Sequence, residues 1–233
     1  MRIEVLPDAG AVARRAARWL AAEAREAVAA RGRFAVAVSG GHTPWQMLRA
    51  LSGEDVPWGA VHLFQVDERV APAGDPDRNL THVRESLLAS VALPHGQLHA
   101  MPVEEEDLAA GAARYAREIE AVAGSPPVLD VVHLGLGPDG HTASLVPGDP
   151  VLEVSSLDVA LAGPYQGRRR MTLTFPVLDR ARCVLWIVTG AEKASVLRRL
   201  QAGDRSIPAG RVRADRALIL ADAAAAGRPG SSP

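Results

Sequence analysis

The segment Val128-Leu129-Asp130-Val131-Val132-His133-Leu134 is dominated by β-branched and aliphatic residues. It gives way at once to Gly135-Leu136-Gly137-Pro138-Asp139-Gly140-His141. A short run that is apolar on both alternating faces fits a strand covered on both sides, as in the parallel sheets of α/β proteins. Such a strand delivers its polar continuation to the carboxyl edge of the sheet, where folds of this kind bind ligands. Asp139 and His141 are the titratable groups on that loop, and the glycines around them let another molecule approach the backbone closely. The same residues also suit a tight turn in which Asp139 caps the next helix and His141 is incidental.

The remainder of the chain repeats this grammar. A strand at 3–6 leads to Asp8, which caps an Ala/Arg-rich helix running to about residue 31. A buried strand at 34–38 empties into Ser39-Gly40-Gly41-His42-Thr43-Pro44, and a helix follows over 45–51 with Pro44 at its start. Exposed backbone N–H groups, a helix N-terminus and the Ser39 and Thr43 hydroxyls there suit an anion such as phosphate, although an ordinary capped turn has the same look. The strand at 61–66 ends in Asp67-Glu68-Arg69. Helices are expected over 80–91 and from the acidic run at 104–107 to about 122, with a weak strand at 97–101 between them. Strands at 157–161 and 170–175 suggest a hairpin around Gly163-Pro164. The strand at 183–188 ends in Thr189-Gly190-Ala191-Glu192-Lys193 and opens a helix to about 200. An extended piece at 207–209, a last strand at 218–220 and a disordered tail at 227–233 complete the reading. Strands alternating with helices predict a mostly parallel, doubly wound, Rossmann-like sheet covered on both faces, in a single α/β domain over 1–226.

Composition narrows the function. A net charge of −1 over 233 residues argues against nucleic acid or an anionic membrane as the main partner. The single cysteine, Cys183, permits no internal disulfide and fits a reducing cytoplasm. No apolar run reaches membrane-spanning length, so a soluble cytoplasmic protein is expected. The single cysteine leaves no Cys pair to build a zinc site, and no metal or other cofactor is expected.

Four strand ends thus carry the chemistry. In order they read Ser-Gly-Gly-x-Thr-Pro from Ser39, Asp-Glu-Arg-x-x-Pro from Asp67, Leu-Gly-x-Gly-x-Asp-Gly-His-Thr-Ala-Ser-Leu from Leu134, and Gly-x-x-Lys from Gly190. This set resembles the 6-phosphogluconolactonase family, which shares fold and ancestry with glucosamine-6-phosphate deaminase. The resemblance spans nearly the whole chain. It departs from the family pattern at His42, where Ser or Thr is common, and at Arg78, where Ser is usual before the asparagine.

The resemblance implies hydrolysis of 6-phospho-D-glucono-1,5-lactone to 6-phosphogluconate, the second step of the oxidative pentose phosphate route, by a monomer or small homo-oligomer. A loop histidine suits the general base, so His141 is expected to activate water and then protonate the departing ring oxygen. Asp139 either orients His141 or holds a sugar hydroxyl. Backbone N–H groups of Gly137 and Gly140 are the expected oxyanion donors. Substrate and phosphate are assigned to Ser39, Gly40, Gly41, Thr43, Asp67, Lys193 and one or more basic residues among Arg69 and Arg168 to Arg170, with Arg69 and Arg168 put first.

Three other readings are weaker. In the aminosugar-phosphate deaminases a glutamate follows the Asp-Gly-His loop, whereas Val146 stands here. A sugar-phosphate-binding regulator would carry a helix-turn-helix segment, for which there is no spare length. A dinucleotide-dependent dehydrogenase would carry Gly-x-Gly-x-x-Gly on the first strand-to-helix turn.

Overall fold

The computed structural model describes residues 1–213 and 215–227. Most of the expected tail, 228–233, lies outside them.

Strand β1 (Arg2–Leu6) leads into the long helix α1 (Ala9–Arg31). Asp8 caps that helix by accepting a 2.7 Å hydrogen bond from the Ala11 N–H, and Gly32 closes it in the left-handed conformation at φ 74°. Its buried stripe is built almost wholly of Ala with Val12 and Leu20, so α1 packs closely on the sheet and on α2 (His42–Leu51). The strands between and beyond are β2 (Phe34–Val38), β3 (Val61–Gln65) and the three-residue β4 (Asp67–Arg69). Helix α3 (Asn79–Val83) continues through a π-helical turn at Arg84–Leu88. Then come β5 (Leu98–His99), α4 (Leu108–Ala123) and β6 (Val131–Gly135). The last third holds β7 (Val159–Tyr165), β8 (Arg168–Leu173), α5 (Phe175–Arg180), β9 (Cys183–Val188), α6 (Ala194–Gln201) and β10 (Ala217–Asp222).

Seven strands form one parallel sheet in the order β1-β10-β9-β6-β2-β3-β5. Alternation within β2 shows how the two faces are filled. Phe34, Val36 and Val38 join a cluster with Leu20, Met47 and Leu48 from α1 and α2. Ala35 and Ala37 face the opposite cluster, with Phe64, Tyr115, Ile119 and Trp186. From β2 the chain winds outward through β3 to β5, then returns to β6 on the other side and winds toward β10. The order therefore reverses between β2 and β6, and ligand crevices open at such a switch point.

The second sheet is small and antiparallel, in the order β4-β8-β7. The chain leaves the large sheet at Val66, whose carbonyl accepts from Leu173 N–H at 2.8 Å, and Asp67, Glu68 and Arg69 become a strand of the small one.

Several local expectations change. The hairpin turns at Gln166 and Gly167, both with positive φ (53° and 76°), and not at Gly163-Pro164, where the ladder carries a register shift. Two consecutive positive-φ residues match the twist of a two-residue hairpin, while a proline lacks the N–H that a regular ladder needs. The strand expected to reach Phe175 stops at Leu173 because Pro176 sits in the first turn of α5. Residues 208–211 form a 3₁₀ turn where an extended piece was expected. Among the described residues no helix is long and apolar enough to cross a membrane.

Candidate active site

A cleft of about 420 Å³ lies at the carboxyl ends of β2, β6 and β9, walled by β4, α3 and the tip of the β7–β8 hairpin. Ser39, Gly40, Gly41, Thr43, Asp67, Arg69, Gly137, His141 and Lys193 all line it, so the four motif-bearing strand ends meet there.

The first wall is the turn after β2. Helix α2 begins at His42 with no side-chain cap, so the N–H groups of its first turn have no acceptor within the helix. The Thr43 hydroxyl lies 2.8 Å from that of Thr189 at the end of β9. Gly40 is sterically required, because a Cβ there would stand 1.8 Å from Asn79 Oδ1. Behind the turn sits His133, wholly buried, whose Nδ1 accepts a 3.2 Å hydrogen bond from the Ser39 N–H. Desolvation pushes the His133 pKa down from 6.5 to about 3. The native state therefore refuses a proton that the unfolded chain accepts. Stability is unaffected above pH 6.5, falls as pH drops below it, and the loss is complete near pH 3. At pH 4.5 this one group should cost about 2 to 3 kcal/mol. Chemical denaturation at pH 7 and pH 4.5 checks this, since His133→Gln should lose distinctly less stability over that interval than the wild type.

The second wall is the loop after β6. Asp139 Oδ1 lies 2.6 Å from His141 Nδ1 and 3.1 Å from the His141 N–H, so one carboxylate oxygen holds both the ring and its backbone. This pairing puts the imidazole proton on Nδ1. Among the described residues Nε2 has no hydrogen-bond partner, and the ring lines the cleft. Burial alone would lift the Asp139 carboxyl, but the hydrogen bonds and charge of His141 outweigh it and hold the carboxyl below its usual range. Gly137 leaves room for the ring, since a Cβ there would lie 2.0 Å from His141 Nδ1.

The expected oxyanion donors are not free. The Gly137 N–H donates to the His141 carbonyl at 2.8 Å, and the Gly140 N–H donates to the Gly137 carbonyl at 3.0 Å. These bonds close the loop that presents His141, so both amides serve its shape.

The third wall is polar and mostly buried. Asp67 accepts from the Ser144 hydroxyl at 2.7 Å and the Asn79 side-chain amide at 3.3 Å, and lies 3.8 Å from Arg170. Arg69 donates to Asn79 Oδ1. Glu68, fully buried, accepts 2.8 Å hydrogen bonds from the N–H groups of Arg69, Asn79 and Leu80 and from the Gln65 amide, and Arg78 pairs with it at 3.3 Å. Arg78, the departure from the family pattern, is thus a buried counter-ion and does not line the cleft.

Arg168 does not line the cleft. Its guanidinium is held by Asp75 at 3.2 Å and Asp77 at 3.1 Å. Arg170 takes the place expected for it, because Arg170 pairs across the small sheet with Arg69, while Arg168 lies two residues nearer the hairpin tip. Lys193 ends a 3₁₀ turn and stands at the cap position of α6. That turn is anchored where the Gly190 N–H meets the Asp222 carboxylate at 3.1 Å. Asn79, Tyr165 and Arg170 are cleft residues that the motifs did not single out; for Arg170 the signal was the Arg168-Arg169-Arg170 run itself.

Comparison with known proteins agrees with this geometry. The chain is 34% identical over 231 residues to a 6-phosphogluconolactonase of Nostoc sp., covering 96% of each. It is 39% identical over 206 residues to one of Mycobacterium tuberculosis, covering 84% of this chain and 83% of the relative. The 6-phosphogluconolactonase structure from Thermotoga maritima superposes with a TM-score of 0.84 at 26% identity, over 95% of this chain and 98% of that one. The family model described as glucosamine-6-phosphate isomerases/6-phosphogluconolactonase matches residues 7–220, and the chain belongs to that family.

Proposed function

We propose that this cleft hydrolyses 6-phospho-D-glucono-1,5-lactone to 6-phospho-D-gluconate, and that His141 is its general base. The observation that carries the mechanism is the Asp139–His141 pair, with Nδ1 bound to the carboxylate and the ring lining the cleft. Water held by Nε2 adds its oxygen to the lactone carbonyl carbon as its proton passes to the ring. The tetrahedral intermediate collapses by breaking the bond between that carbon and the ring oxygen, which takes the proton back from the imidazolium. The new carboxylic acid then loses its proton to solvent. Asp139 fixes the tautomer and steadies the imidazolium.

The phosphate is assigned to the uncapped start of α2, the Ser39 and Thr43 hydroxyls and Lys193. Arg69 and Arg170 replace the occupied loop amides and Arg168 as donors to the phosphate and to the carbonyl oxygen as it becomes anionic. Asp67 acts by holding Arg170 and Asn79. One chain supplies every group, so a monomer suffices, and residues 1–226 are taken as the catalytic unit. A reducing cytoplasm suits the one cysteine, and no metal is required.

The test is proton release from freshly generated lactone, measured against the spontaneous rate. The deaminase alternative is tested on the same preparation. With Val146 where the deaminases have a glutamate, no ammonia should form from glucosamine 6-phosphate, and exhaustive chelation should leave lactonase activity intact. Ammonia release, or activity lost to chelation and restored by one metal, would overturn these assignments.

A further inference from the structure

Tyr165 touches both halves of the cleft. Its hydroxyl donates to Asp139 Oδ2 at 3.4 Å, the carboxylate oxygen that His141 leaves free. Its ring meets the His141 imidazole edge-on, with centroids 5.1 Å apart. The Arg170 guanidinium lies over the same ring, 5.2 Å from the centroid. Arg170 also donates to the Tyr165 carbonyl at 3.4 Å and to the Gln166 side chain at 3.5 Å. The hairpin tip brings the phenol into this position through Gln166, a residue with a full side chain held at φ 53° where glycine or asparagine is usual. A side chain in that region persists where its surroundings hold it there, and such positions gather at functional sites.

We propose that Tyr165 is a positioning residue that aligns the Asp139–His141 pair and ties it to the arginine gripping the substrate's negative charge. The assignment rests on the lactonase reading of the cleft. With one Asp139 oxygen on His141 and the other on Tyr165, rotation of the carboxylate is restrained, and Nε2 keeps its aim at the bound carbonyl. The aromatic face restrains Arg170 by packing and by cation–π attraction. The two functions of the side chain separate cleanly by substitution. Tyr165→Phe removes the bond to Asp139 and keeps the ring, whereas Tyr165→Ala removes both.

In the purified enzyme, Tyr165→Phe should lower kcat about 5- to 20-fold with KM within twofold of wild type, while Tyr165→Ala should also raise KM several-fold. In an Asp139→Asn background the Tyr165→Phe change should have no further effect on kcat, because its route to His141 is already gone. The proposal is overturned by a kcat for Tyr165→Phe within twofold of wild type, or by effects of the two substitutions that simply multiply. A rise in KM alone would make Tyr165 a direct substrate contact and overturn it equally. Wild-type protein without lactonase activity would reject the reading of the cleft itself, an outcome distinct from all of these. The proton on His141 Nδ1, identified by NMR through its loss in His141→Ala, gives a readout independent of turnover. It should exchange faster with solvent in Tyr165→Phe, and unchanged exchange would also count against the proposal.

Discussion

His141→Ala lowers kcat for lactone hydrolysis by about two to four orders of magnitude while leaving the fold intact. The size follows from removing the group that accepts the water proton and returns it to the ring oxygen, the usual range for a general acid–base side chain. The fold survives because the side chain is partly exposed at the cleft and its main partner is Asp139, two residues away on the same loop. The His141 carbonyl still accepts from Gly137 N–H in the variant, so loop closure does not depend on the imidazole. KM should change little, since the phosphate is held elsewhere. Stopped proton-release assays, with the spontaneous reaction subtracted at each pH, measure the effect. A variant retaining most of its kcat would remove His141 from the mechanism.

Lys193→Ala has the second-largest effect, and it falls on KM. Of 26 basic side chains 25 are arginine, and the one lysine stands on the cleft at the cap position of α6. A cation at a helix start is unfavourable unless an anion lies nearby. A compact ammonium on a flexible stem meets a phosphate as a point charge where a broad guanidinium fork has no room. Losing this contact should cost about 2 to 3 kcal/mol, a rise in KM of about 30- to 150-fold with a much smaller change in kcat. Lys193→Arg should recover part of the loss. The composition supplies a test without mutagenesis, because an amine-selective reagent can reach Lys193 and the N-terminus alone. Modification should inactivate the enzyme, and 6-phosphogluconate should protect it. A fully modified protein that turns over normally would make Lys193 a bystander.

The strand ends were readable because β2, β6 and β9 are covered on both faces, so each ends where its apolar run ends. Ser39, His141 and Lys193 follow directly from those boundaries. What escaped depends on contacts between distant segments or on local torsions. Choosing Arg170 over Arg168 needs the pairing of β8 with β4, and that register depends on a turn at Gln166-Gly167 that Gly163-Pro164 disguised. The internal bonds of Gly137 and Gly140 depend on loop torsions that any glycine-rich turn leaves open. Asn79 gains its place by reaching Asp67 and Arg69 across ten or more residues of irregular chain, which no periodicity announces.

The three residues of β4 point alternately, with Asp67 and Arg69 on the cleft and Glu68 buried against Arg78. Because this strand starts one residue after the large sheet releases the chain at Val66, its phase is inherited from β3 with no slack. Deleting or inserting one residue near Val66 would swap the two sides, aiming Glu68 at an anionic substrate and burying an aspartate and an arginine where one carboxylate fits. For descendants of this sequence the spacing from β3 to Arg69 is therefore closed to change by single insertions and deletions. Any viable length variant there must arrive together with a compensating shift in β8.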